Sequence, residues 1–93
     1  MSVHLKDPDA VLDYSVDWTE ALEDGESLLA AEWIVHPEDA GGLAILSEAT
    51  AGTLRSATVS GGRPGDLYRL TNRVTTDQGR THDRSFLIRI AQR

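Results

Sequence analysis

The strongest constraint on this chain is alternation. In "VLDYSVDW" the apolar residues Leu12, Tyr14, Val16 and Trp18 take every second position, with Asp13, Ser15 and Asp17 between them. Successive side chains of an extended backbone point to opposite faces, so this segment reads as a strand with one dry and one wet side. The pattern returns along the chain. "SLLAAEWIV" sets Leu29, Ala31, Trp33 and Val35 on one side, and Leu28, Ala30 and Ile34 on the other, a strand covered on both faces or meeting a neighbour. Leu43 to Leu46 form a short run after "HPEDAGG", and "GTLRSATVSGG" alternates weakly, with an inward face that the pattern leaves open.

The last third is clearer. Tyr68, Leu70, Asn72 and Val74 share one side, against Arg69, Thr71, Arg73 and Thr75. Phe86, Ile88 and Ile90 then alternate with Leu87, Arg89 and Ala91, and the "DQGR" between the two runs supplies a hairpin connection. Only "TEALEDGE" suggests helix: a single turn near residues 18–22, capped by Thr19 and ended by Gly25.

Six to seven short strands at intervals of about ten residues predict an all-β chain, an immunoglobulin-like or fibronectin type III-like antiparallel β-sandwich. Trp33 occupies the place of a buried core aromatic. Tyr68, following the turn "RPGD", occupies that of a tyrosine corner whose hydroxyl bonds back to nearby backbone. Ninety-three residues make one domain, 1–93, with residues 1–7 a candidate N-terminal arm. In that arm Val3 and Leu5 alternate with His4 and Lys6, the pattern of an edge strand offered to a partner subunit.

Charge is divided unevenly. The net charge is -6, yet residues 1–50 hold twelve acidic side chains against Lys6, and residues 51–93 hold eight arginines against Asp66, Asp77 and Asp83. The halves can pair with each other across strands or present unlike faces to different neighbours. Without cysteine there is neither a disulfide framework nor a thiolate metal site. The N-terminal segment lacks a signal-peptide core and no run approaches a membrane span, so the expectation is a protein that is not secreted through a signal peptide and has no membrane partner.

Catalytic patterns are not found. His4, His36 and His82 have no ligand spacing among themselves. His82, Asp83 and Ser85 evoke a triad, but residues so close in a strand face opposite ways. The carboxylates Glu23, Asp24 and Glu26 read as a solvated turn rather than a calcium loop, and "SGGRPGD" matches no phosphate loop. The arginines read as a basic stripe on an outward sheet face. The five aromatics fall on inward positions, and without exposed rings or a basic total the stripe does not predict nucleic acid. Val3, Leu5, Arg69, Arg73 and Arg89 are the candidate protein-contact residues.

"KDPDAVLDYSVDWTEAL", the turn "DGESL" and "TVSGGRPGDLYRLTNRVTTDQGRTHDRSFLIRI" together resemble the small tailed-phage virion proteins described as fibre-tail adaptor-like. The resemblance runs from about Lys6 to Ile90 and departs in "HPEDAGGLAILSEATAGTLRSAT". It implies a non-enzymatic structural protein of a virion, without a cofactor, made in the host cytoplasm. Such a protein would join other virion proteins of tail, fibre or neck, in a symmetric homo-oligomeric ring or array. The alternatives are a head decoration protein and a carbohydrate- or ligand-binding sandwich, the latter requiring an exposed aromatic such as Trp18.

Overall fold

A computed structural model describes residues 3–38 and 41–92. It is all-β: β1 (Val3–Lys6), β2 (Leu12–Asp17), β3 (Leu28–His36), β4 (Leu43–Ala51), β5 (Leu54–Gly61), β6 (Leu67–Thr76) and β7 (Thr81–Ile90), with a 3-10 turn at Thr19–Ala21. Two sheets form, a four-stranded one in the order β1-β7-β6-β3 and a three-stranded one in the order β2-β5-β4. Their facing sides make one core. Tyr14, Val16, Trp18, Ala57 and Val59 from the smaller sheet meet Trp33, Val35, Tyr68, Leu70, Val74, Ile88 and Ile90 from the larger. Most are alternating residues of β2, β3, β5, β6 and β7, buried because each of these strands turns one face to the core.

Tyr68 is fully buried at the start of β6, and its hydroxyl accepts a hydrogen bond from the Arg63 amide at 3.3 Å. Asn72 is the polar exception in the core. Its Oδ1 accepts from Trp18 Nε1 at 2.8 Å, and its Nδ2 donates to the Glu32 carbonyl at 3.1 Å, so one amide joins the two sheets.

Several expectations need correction. The sandwich is not wholly antiparallel, because β1 runs parallel to β7, pairing Val3 with Leu87 and Leu5 with Arg89. The segment expected as an arm for a partner's sheet is thus the edge strand of its own sheet. Leu29 does not join Ala31, Trp33 and Val35 on the inward side. A bulge between Leu28 and Ala30 takes it out of the alternation and leaves it exposed. The run expected at Leu43 to Leu46 continues to Ala51 and pairs with β5 across Gly52. Its distal half is exposed on both faces, so no period-two signal marks it. In β5 the inward side is that of Ala57 and Val59. Thr19 lies inside the 3-10 turn rather than capping it. The Asp17 carboxylate accepts from the Thr19 amide and hydroxyl, and its pKa is lowered by those bonds. Among the described residues no helix is long and apolar enough to cross a membrane.

Candidate interaction surface

The outward face of the four-stranded sheet is ordered by register. One row across it reads Leu5, Arg89, Leu67, and the next Val3, Leu87, Arg69, His36. Then come Ser85, Thr71 and Ile34, followed by Asp83, Arg73 and Glu32. Side chains in register on neighbouring strands share a face and stand within contact range of each other.

The first two rows form a mixed apolar and basic patch. Val3, Leu5 and Leu67 are 46%, 53% and 43% exposed, a concentration of large apolar surface unusual for a wet sheet face. Beside them is a shallow depression of about 280 Å³ lined by His36, Pro37, Leu67, Arg69 and Leu87. Arg69 and Arg89 are exposed, and among the described residues no carboxylate pairs with either.

The structure therefore brings together four of the five expected contact residues: Val3, Leu5, Arg69 and Arg89. Arg73 shares the face but is occupied. Its Nε and Nη2 meet the two Asp83 oxygens at 2.8 and 3.0 Å, and Glu32 lies 3.9 Å away. The Asp83 bonds raise the Arg73 pKa, and the same bonds lower that of Asp83. Leu67 and Leu87 belong to the patch and were not singled out from the sequence. Their signal was there, in the parity they share with Arg69 and Arg89.

Among the described residues, other cations are engaged within the chain. Arg80 reaches Glu23 at 2.9 Å and Glu26 at 3.8 Å. Arg84 stands over the Trp18 ring at 5.5 Å, and Arg55 donates to the Gly52 and Leu54 carbonyls. Lys6 is buried with its ammonium on the Asp7 and Gly61 carbonyls, and desolvation lowers its pKa. The basic and acidic halves thus meet at Arg73–Glu32, Arg80–Glu23 and Arg80–Glu26, whereas Arg69 and Arg89 have no such pair among the described residues.

The residues weighed for chemistry are occupied in packing. Ser85 shares a hydrogen bond with Thr71 at 2.8 Å, Asp83 holds Arg73, and His82 lies against Trp18, so no relay forms among them. Glu26 is enclosed in the turn that was expected to be solvated. It accepts from the Thr76 hydroxyl at 2.6 Å and the Glu23 amide at 2.9 Å, and these bonds, with Arg80, lower its pKa. Trp18 is 2% exposed and Trp33 7%, so neither offers a ring to a sugar or a base.

Fold and surface define a small two-sheet all-β protein with exposed apolar and basic side chains together on one outward face. A family model described as "Podophage GP4 fiber-tail adaptor protein gp77" matches residues 6–89, and the chain belongs to that family of phage fibre-tail adaptor proteins. No curated protein matches it.

Proposed function

We propose that the chain is a non-enzymatic connector of a tailed-phage virion, joining tail, fibre or neck proteins, and that Val3, Leu5, Arg69 and Arg89 contact one of them. The observation that carries this reading is the family match over residues 6–89. The mixed patch agrees with it, because exposed leucine and valine beside unpaired arginine are the makings of a protein interface. Copies would sit in a symmetric ring or array, each meeting unlike neighbours through unlike faces. An immunoglobulin-like reading of the domain is supported by the order of its strands. β2, β5 and β4 form one sheet and β3, β6 and β7, with β1 at the edge, the other, and Trp33 and Tyr68 lie on the second.

The test is complementation of a phage lacking this gene with R69E/R89E, alongside mass spectrometry of purified particles. Fully assembled, infectious particles carrying the variant would remove the patch from the interface. Absence of the unaltered chain from purified particles would remove the virion role itself. Because β1 is part of the folded sheet, substitution is a cleaner test than N-terminal truncation.

A further inference from the structure

On the flank opposite β1 the sandwich is open. Among the described residues β3 has β6 on one side and no strand on the other, and β4 likewise has only β5. Along the free edge of β3 runs a groove of about 420 Å³. Trp33, Val35, Leu43 and Ile45 make its floor, and Glu32 and Glu38 its rim.

Natural edge strands are usually guarded by lysine, proline or brevity. β3 is nine residues long, "LLAAEWIVH", with neither lysine nor proline, and its bulge lies at Leu28–Ala30, before the groove begins. The groove repeats the pleat of a strand: Trp33 and Val35 face the gap between the sheets, whereas Glu32 lies on the outer side. Its rim is acidic and under-neutralised. The nearest cation to Glu32 is Arg73 at 3.9 Å, already held by Asp83, and Glu38 has no ion-pair partner among the described residues.

We propose that the free edge of β3 is a docking site for an extended basic segment of another protein, added as a further strand of the larger sheet. Its inward residues are apolar and close the gap beside Trp33, Val35 and Leu43, which the core already buries, and over the half-buried Ile45. Its lysines or arginines meet Glu32 and Glu38. Backbone pairing supplies the affinity of such an addition and alternate side chains its selectivity. The site differs from the patch on the outer face in place and in charge, and it stands independently of the virion role.

The test uses two synthetic peptides of about eight residues, the length of an ordinary strand, one alternating valine with lysine and the other valine with glutamate. Each is titrated into isotopically labelled chain and followed by amide chemical shifts. The lysine peptide is expected to shift residues 31–36 and 43–46 and to bind about tenfold more tightly than the glutamate peptide, the effect of two exposed ion pairs. E32K/E38K should reverse that preference. Added salt should weaken the lysine peptide on the unaltered chain, which reads the same charge effect without a variant. Equal binding of the two peptides, shifts mapping elsewhere, no binding at about 1 mM, or pairing of two copies of this chain along β3 would each overturn the proposal.

Discussion

Replacing Asn72 by leucine keeps the branching of the side chain at a somewhat larger volume and removes two hydrogen bonds, the one from Trp18 that ties the sheets together and the one to the Glu32 carbonyl within the larger sheet. The side chain is fully buried, so no water can substitute. Trp18 Nε1, which donates at 2.8 Å, and the Glu32 carbonyl, which accepts at 3.1 Å, both lose their partner. A buried polar group left unpaired costs about 1–3 kcal/mol, so N72L, which strips two groups of a bond, should lose about 2–6 kcal/mol. That is a large part of the roughly 5–15 kcal/mol that holds a domain together. Urea unfolding should show a lower midpoint with an unchanged slope, and the thermal midpoint should fall by more than ~10 °C. The decisive measurement is a double-mutant cycle with Trp18→Phe, which removes the indole N–H. If the indole–amide bond carries the effect, the double variant is less destabilised than the sum of the singles, by about 1–2 kcal/mol. Additivity within about 0.5 kcal/mol would refute the reasoning.

Three further outcomes are expected. Glu26 has a lowered pKa in the folded chain, so its contribution is complete above the ordinary glutamate value of about 4.3 and is lost as pH falls through the lowered value. Glu26→Gln should accordingly flatten the acid limb of a stability–pH profile, and an unchanged limb would count against the assignment. Gly62 has φ +104°, and a Cβ there would collide with the Ile90 side chain. Gly62→Ala should therefore cost at least ~2 kcal/mol in denaturant unfolding, whereas Gly25→Ala, with open space around it, should cost less. Arg73→Ala removes an exposed pair with Asp83, so its small effect on the thermal midpoint should shrink further in high salt, and a large salt-independent loss would contradict the surface geometry.

The fold was most legible where burial is one-sided. β2, β6 and β7 each have one dry face, and their alternation gave both the strand and its orientation. β3 was legible only in part, because the extra residue of a bulge shifts parity without leaving a sequence mark. This is why Leu29, apparently in phase with Trp33, is 69% exposed. β4 was missed beyond Leu46 because a strand wet on both faces has no reason to alternate. In the candidate surface, Arg69 and Arg89 were visible as outward arginines, but Arg73 looked the same and is spent on Asp83. Leu67 and Leu87 entered the patch only when neighbouring strands were set in register.

Sequence by itself determined that the chain would be a β-protein of about seven strands with the aromatics inward, since burying one face of a pleated strand demands period two. It also carried the family resemblance that the match over residues 6–89 supports. The tertiary structure decided which charges cancel and which remain, because ion pairing depends on registers set between strands distant in the chain. It also placed β1 beside β7, gave Asn72 both of its partners, and left β3 with an open edge. None of these is a local property, for each depends on what packs alongside.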